Sequence, residues 1–356
     1  MNTKRTRATI LDVASEAGVH PSTVSRVLSG NSVSSIRPET RQRVLEAADR
    51  LGYRPSALAR SLRLQKTLTL GMLVPDITNP FFSSIIKGAE DAARARGYNL
   101  ILCNSEDEPE REAICLNALR EHEVDGFLIA SSQMADDTIA GLRAEGYPFV
   151  LLNRATRNTD DLAVVVDNHA AARNAVRHLA ELGHRRVGHI AGPQDTTTGV
   201  DRYQGYRAAV VAYGLADDPG LAVEAQAFTV EAGHQALGIM LDGPARPTAV
   251  FAANDLIAIG MLHRLREAGA RVPRDLSIVG FNDIPLAGLL EPALTTVRVP
   301  QLDMGAVGAR LLIDRLEGRP IGDVRVTLPT ELVVRASTSA PAALPSEPLI
   351  TTGAQP

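Results

Sequence analysis

From Thr67 to Ser339 the chain alternates short apolar runs with amphipathic helical stretches. That alternation constrains the fold more than any single motif. The runs "TLTLGMLV", "YNLILC", "VDGFLIA", "YPFVLL" and "LAVVV" read as buried strands, with helices such as "NPFFSSIIKGAEDAARARG" and "EREAICLNALREHE" between them. A second series, "RRVGHIAG", "VEAQAF", "TAVFAA" and "LSIVGF", repeats the pattern. Strand–helix alternation predicts parallel sheets joined by right-handed crossovers. Two series predict two similar α/β lobes within residues 67–339. Lobe 1 is expected over about 67–167 plus 297–323, and lobe 2 over about 168–296 plus 324–339. The helix "QLDMGAVGARLLIDRLEG" and the strand-like "VRVTLP" and "ELVVR" return to these lobes. In open α/β sheets ligands bind beyond the carboxyl ends of strands, so facing lobes predict a small-molecule cleft between them.

The first 66 residues are of another kind. They carry 12 of the 37 Lys+Arg and 5 of the 41 Asp+Glu, which leaves 25 against 36 for the rest. A basic head on an acidic body predicts a polyanionic partner. Thr9 is placed to cap a helix from Ile10 to about Ala17, with Asp12 near its positive end, and Gly18 breaks it. A second helix opens at Pro21, where the missing N–H costs nothing, and ends near Gly30. A third, "PETRQRVLEAADRLG", puts Val44, Leu45, Ala48 and Leu51 on one face and closes at Gly52. Residues 1–54 form this head, and 55–66, with "SALARSL", form a linker. The short helix Ala57–Leu62 is marginal alone and needs a partner surface. The tail, 340–356, rich in Pro, Ala and Thr, is expected to be disordered.

The first two helices fit a helix-turn-helix: Ala14 lies at their crossing, and Val13, Val24 and Val27 form a shared core. In DNA-binding versions the second helix presents its N-terminal residues to base edges, which makes Arg26 a partner for guanine O6 and N7. Ser22 and Thr23 suit phosphate or base edges.

"ATILDVASEAGVHPSTVSRVLSG" followed by "RPETRQRVLEAADRLGYRPSALARSLR" resembles the N-terminal signature of the lactose/galactose-repressor family of bacterial transcription regulators. The resemblance runs on through "HLAELGHRRVGHIAGP", "RPTAVFAANDLIAIG", "VPRDLSIVGFND" and "PALTTVRVP", up to about Ser339. It implies a helix-turn-helix head on a two-lobed effector domain like a periplasmic binding protein. It further implies a homodimer on a near-palindromic DNA operator, controlled by a sugar or sugar acid in the cleft. For DNA it implicates Thr9, His20, Pro21, Ser22, Thr23, Ser25 and Arg26. In the hinge it implicates Ala57, Arg60, Leu62 and Arg63, with Leu62 at the position that levers into the minor groove. An apolar wedge there unstacks a base step and bends the duplex. For the effector it implicates Phe81, Phe82, Asn153, Arg154, Thr198, Arg202, Phe228, Asn254, Asp255 and Asn282, all at or just after predicted carboxyl ends of strands. Asp255 also suits the cap of the helix it opens.

Two departures from the family pattern matter. Sugar-responsive members commonly carry an aspartate in place of Asn282, and often one in place of Asn153. Amides there remove negative charge while Arg202 and Arg154 remain, which favours an anionic effector. Asp283 next door is a possible substitute for the missing carboxylate. In the head, His20 stands where Ser or Thr usually caps the recognition helix, and Pro21 takes a base-choosing position, so the operator is expected to differ.

Other classes fit less well. A transporter's solute-binding protein shares the two-lobe plan, but "MNTKRTRATI" has no apolar segment behind it and the basic head is foreign to that class. Enzyme signatures such as HExxH, GxSxG and GxxxxGK[ST] are missing. His184 and His189 read as structural, and Cys103 and Cys115 as small hydrophobes in a reducing compartment. No run reaches the length of a membrane span. The expectation is therefore a cytoplasmic non-enzyme, at the nucleoid when bound to its operator, with no metal, cofactor or membrane partner. The Pro-containing tail has no heptads, so a dimer is expected rather than a tetramer.

Overall fold

The computed structural model describes residues 8–29, 36–53 and 66–342. The chain divides into two compact units, Met1–Leu68 and Thr69–Pro356. The expected hinge helix and the 343–356 part of the expected disordered tail lie outside the described residues.

In the first unit, α1 (Ile10–Ala17), α2 (Pro21–Ser29) and α3 (Pro38–Arg50) surround one small core. Thr9 and Asp12 form a capping box at the start of α1, and Gly18 ends the helix in the left-handed conformation at φ 61°. Val13, Ala14, Val24 and Val27 are buried, as the helix-turn-helix pattern requires. The buried stripe of α3 is Val44, Ala47 and Ala48, whereas Leu45 and Leu51 are exposed. The expected face was therefore rotated: positions 44, 47 and 48 follow the helical repeat onto one side, and the small alanines let the helices approach. Ile36 and Tyr53 close the core from the ends of α3.

The second unit holds two six-stranded sheets of matching plan. Sheet 1 contains β1 (Thr69–Val74), β2 (Asn99–Asn104), β3 (Gly126–Ile129), β4 (Phe149–Leu152) and β5 (Ala163–Val166). Between these strands run α4 (Pro80–Ala95), α5 (Pro109–Glu121) and α6 (Asp137–Ala144). Sheet 2 contains β6 (Val187–Ala191), β7 (Ala222–Glu224), β8 (Ala249–Ala252), β9 (Ser277–Asn282) and β10 (Thr295–Arg298). Its helices are α7 (Asn168–Glu181), α8 (Thr197–Ala212), α9 (Val230–Asp242) and α10 (Asp255–Glu267). The chain then adds α11 (Gln301–Leu316), β11 (Arg325–Leu328) and β12 (Glu331–Val333).

Sheet 1 runs β11-β5-β4-β3-β1-β2 and sheet 2 runs β12-β10-β9-β8-β6-β7. Every pairing is parallel except β10 with β12. Strands buried on both faces need continuous apolar runs, which is why β3, β4 and β8 are uniformly apolar and β1 and β9 carry polar side chains only at their ends. Each side chain of this size contributes about 1.5–3 kcal/mol when fully buried. Order reverses between β1 and β2 on one side and β3 on the other, and likewise between β6 and β8, which creates a crevice at the carboxyl edge of each sheet.

The lobe boundaries near the C-terminus differ from expectation. Thr295–Arg298 belongs wholly to sheet 2, so lobe 1 resumes after 298 rather than at 297. Arg325–Leu328, assigned from sequence to lobe 2, instead pairs in parallel with Ala163–Val166 and completes sheet 1. The free edge of β5 needs a partner for its backbone groups, and β11 supplies one before the chain returns to sheet 2 as β12. Three crossings thus join the lobes, near 167, 299 and 329. Helix α11 packs on α4 through two glycines. A Cβ on Gly88 would lie 2.0 Å from the Leu302 carbonyl oxygen, and one on Gly305 1.9 Å from that of Ile85.

Candidate functional site

On the head, the exposed start of α2 carries the predicted DNA-contacting residues. Pro21 occupies the first helical position and leaves no unsatisfied N–H there. His20 does more than its residue type suggested. Its Nδ1 lies 3.2 Å from the Ser22 N–H and 2.8 Å from the Ser22 hydroxyl. The imidazole is therefore the cap of the helix, in the place of the usual Ser or Thr. Because Nδ1 accepts the backbone hydrogen bond, a neutral ring carries its proton on Nε2, and His20 is exposed. Ser22 and Arg26 are also exposed on this helix, with Thr23 and Ser25 partly so. Thr9 is engaged in the α1 capping box, where its hydroxyl meets Asp12 Oδ2 at 2.8 Å. The hinge residues Ala57, Arg60, Leu62 and Arg63 lie outside the described residues.

In the two-lobed unit, the carboxyl edges of both sheets face one cavity of about 280 Å³. Nine of the ten predicted effector residues line it: Phe81, Phe82, Asn153, Arg154, Thr198, Arg202, Phe228, Asn254 and Asn282. Phe81 and Phe82 open α4, packed edge to face at 5.0 Å, and form the apolar wall. Asn79 caps that helix by accepting from the Phe81 N–H at 3.0 Å, which fixes both rings. Asn254 is committed at both ends of its amide: Oδ1 caps α10 and Nδ2 donates to the Phe228 carbonyl.

Asp255, the tenth, does not line the cavity. Its carboxylate accepts from Thr296 Oγ1 at 2.5 Å and from the Ile284 N–H at 2.8 Å. A Cβ on Gly280 would come within 2.3 Å of Asp255 Oδ1, so glycine there makes room for the carboxylate. Burial pushes its pKa up to about 7. Asp255 ties α10 to sheet 2, because the helix start aims residue 254 at the cleft and residue 255 back at the strands.

The two arginines differ in kind. Arg154 is clamped by Asp107, with contacts of 2.6 and 3.1 Å, and its guanidinium lies 5.6 Å from the Phe228 ring centroid. Its charge is thus balanced, which leaves Arg202 alone of the two arginines to carry the expected positive charge of the pocket. Arg202 is 2% exposed and lies 3.8 Å over the Phe281 ring. It donates from Nε to Asn168 Oδ1 at 2.9 Å and from one terminal nitrogen to the Ala253 carbonyl at 2.7 Å. Among the described residues no carboxylate forms an ion pair with it. Burial, with Arg154 nearby, pulls its pKa down to about 9.

Asn153 Oδ1 and Asn282 Oδ1 are buried without a hydrogen-bond partner. Both residues have positive φ, 65° and 118°, as do Glu106 and Asp107 at 55°. Such conformations are costly for residues with a Cβ and gather at ligand sites. Asp283 does not replace the missing carboxylate: it accepts from Arg298 at 2.8 Å and from Arg335 at 2.7 Å.

Sequence reading missed several cavity residues: Pro75, Asp76 and Asn79 after β1, Glu106 and Asp107 after β2, and Ala227 and Thr229 beside Phe228. The rule that ligands sit past strand ends covers all of them, but nothing local separates Asp107 from an ordinary loop acid. His184 and His189 stay out of the site. His184 bridges Thr248 and the Ser339 carbonyl, and His189 bonds the Phe251 carbonyl beneath stacked rings.

Residues 9–56 match the bacterial regulatory proteins of the lacI family, and residues 176–338 match the periplasmic binding protein-like domain. The chain is 38% identical to a ribose operon repressor of Halalkalibacterium halodurans over 93% of its own length and 97% of the relative's. It is 35% identical to the transcriptional repressor CytR of Escherichia coli, over 95% and 98% of the two chains. Among solved structures, a lac repressor dimer bound to operator and an anti-inducer matches with a TM-score of 0.84 at 25% identity, covering 94% of this chain and all of that one. A CelR–cellobiose complex matches with a TM-score of 0.70 at 37% identity, covering 93% of this chain.

Proposed function

Since the chain belongs to the lacI family of bacterial regulatory proteins and is a transcriptional repressor with an effector-binding domain, we propose that it binds a near-palindromic operator as a homodimer and answers to a polyhydroxylated effector, a sugar or sugar acid, in the interlobe cleft. The observation that carries the effector class is the pairing of two orphaned amide oxygens with one uncompensated guanidinium in a single cavity. Asn153 Oδ1 and Asn282 Oδ1 call for hydroxyl donors. The remaining donors of Arg202 call for an acceptor, and an ionised carboxylate is the strongest. The cavity volume is near the low end of small-molecule sites, which run from about 300 Å³ upward, and so favours a single ring. Two of the reported relatives, one named for a ribose operon and one solved with cellobiose, are in keeping with this class.

The cleft is coupled to lobe position by contacts that cross it. Arg154 of lobe 1 lies over Phe228 of lobe 2, and the Ala155 N–H donates to Thr197 Oγ1 at 3.1 Å. A ligand that inserts between these groups changes the angle between the lobes, and rigid-body rotation is an ordinary route for such a signal. On the head, Arg26 and Ser22 meet the duplex from α2, with His20 holding the helix start. Homodimer formation is supported by Leu286 and Leu289, whose apolar surface is exposed on the turn after β9, Leu289 to 82%.

Selection of binding sites from random-sequence DNA with the full chain, followed by calorimetric titration with matched sugar and sugar-acid panels, tests both halves. A palindromic site and a ligand that changes operator affinity are expected. Sequence-independent binding at moderate salt would remove the operator reading. Binding of neutral sugars alone would remove the acid arm.

A further inference from the structure

Away from the cleft, α9 and α10 of lobe 2 bring together His234, His263 and Glu267. The Nε2 of His234 is 2.7 Å from Glu267 Oε2, and that of His263 is 3.5 Å from Oε1. The ring centroids are 5.2 Å apart. One ligand atom from each residue lies within 4.8 Å of the others. We propose that these three side chains form a site for a first-row divalent metal ion of imidazole preference, of which Zn²⁺ is the type.

The donor set fits that chemistry. Two neutral imidazoles and a carboxylate suit Zn²⁺, Ni²⁺ or Cu²⁺ and do not suit Mg²⁺ or Ca²⁺, which take oxygen ligands. His263 and Glu267 are four residues apart on one helix, hence on the same face. His234 reaches them from the neighbouring helix. Metal–ligand bonds of about 2.0–2.2 Å place tetrahedral donors about 3.4 Å apart, so binding lengthens the 2.7 Å His234–Glu267 contact, keeps the 3.5 Å His263–Glu267 spacing and draws in only those donors that now lie up to 4.8 Å apart. A solvent molecule completes the fourth position, since His263 and Glu267 are exposed.

The backbone beneath the three side chains is held rigid. A Cβ on Gly260 would lie 2.0 Å from the Val230 carbonyl oxygen and 2.6 Å from the His234 nitrogen, and one on Gly233 would lie 2.3 Å from the Ile257 carbonyl oxygen. The two helices therefore touch backbone to backbone one residue from His234 and three from His263. Such contact fixes the relative position of the ligands before any ion arrives, which lowers the ordering cost of binding. Arg264 Nη1 stands 3.8 Å from Glu267 Oε2 and, among the described residues, is the one arginine or lysine paired with that carboxylate.

The test uses the full chain stripped of metal by a chelator. Zn²⁺ affinity is measured by competition with a chromogenic chelator, and Cu²⁺ is used as a spin probe for nitrogen ligands. One ion per chain is expected, with two nitrogen couplings in the Cu²⁺ spectrum. His234→Ala and His263→Ala should each remove one coupling and weaken Zn²⁺ by at least about tenfold, since even outer partners of metal ligands contribute about 10–100-fold. Glu267→Gln should weaken Zn²⁺ and keep both couplings. Circular dichroism of each variant separates loss of a ligand from loss of the fold. Unchanged affinity and couplings in a folded His234→Ala/His263→Ala double variant would overturn the assignment.

Discussion

Replacement of His20 separates the helix cap seen in the structure from the base-edge contact proposed for the same side chain. Its Nδ1 accepts the Ser22 N–H at 3.2 Å and meets the Ser22 hydroxyl at 2.8 Å, so it caps the recognition helix and holds Ser22 in one rotamer. The same bond leaves Nε2–H as the donor on an exposed edge. His20→Ala removes both the cap and the donor. Loss of a cap costs about 1 kcal/mol in a short helix, and α2 has 9 residues. A base-edge hydrogen bond contributes at the low end of the roughly 1–3 kcal/mol for a good bidentate pair. Together that is about 2 kcal/mol per head, or about thirtyfold in affinity. His20→Ser restores the cap, because serine is among the best capping residues, but not the ring. It should recover about 1 kcal/mol of that loss while relaxing the preference at one base pair of each half-site. The assay is selection from random DNA followed by fluorescence anisotropy at several salt concentrations, with all variants full length. If His20→Ala binds the selected site within twofold of the wild type and selects the same sequence, neither the cap nor the donor matters to recognition, and the reasoning fails.

Three further outcomes are expected. Burial pushes the Glu112 carboxyl up to about 7, as it does that of Asp255. A carboxyl with a raised folded pKa binds its proton more tightly in the native state, so its stabilisation is complete below about pH 4 and is lost as pH rises towards 7. Glu112→Gln should flatten the fall in urea midpoint between pH 5 and 7.5, and an identical slope in the variant would exclude Glu112 as a cause. Arg202→Lys cannot rebuild the bonds to Asn168 and the Ala253 carbonyl together with the stack on Phe281. It should weaken the effector by at least about tenfold in calorimetry while leaving effector-free operator binding within about twofold, and an effector affinity equal to wild type would refute the role. Gly305→Ala forces α11 off α4, where the added Cβ meets the Ile85 carbonyl at 1.9 Å. A cost of about 1–3 kcal/mol is expected from overpacking, read as a lower urea midpoint, and an unchanged midpoint would show that the helices part freely.

Much of the architecture was legible in the sequence because it rests on local periodicity. Apolar runs of strand length between amphipathic helices specify a parallel sheet wherever they occur, and the two series specified two lobes. The capping box of Thr9 and Asp12 and the left-handed Gly18 are local signals too. The residues after strand ends pointed to the cleft, and nine of the ten lie on its wall. The failures are those where a distant partner decides. Nothing near Arg154 reveals that Asp107, across two strand connections, neutralises it. Asp255 follows Asn254 directly, yet Thr296 and the Ile284 N–H draw it into the sheet. Arg325–Leu328 could edge either sheet by its own pattern, and only the unpaired side of β5 assigns it to lobe 1.

By itself, then, the sequence determined the element types and the helix-turn-helix head, since each follows from spacing within a few residues, and its resemblance to the family named nine of the side chains on the cavity wall. The tertiary structure alone decided which charges remain uncompensated. Arg202 keeps its charge open to the cavity and Arg154 does not, because Coulomb energy depends on distance in space, and the carboxylates that set it come from other turns of the chain.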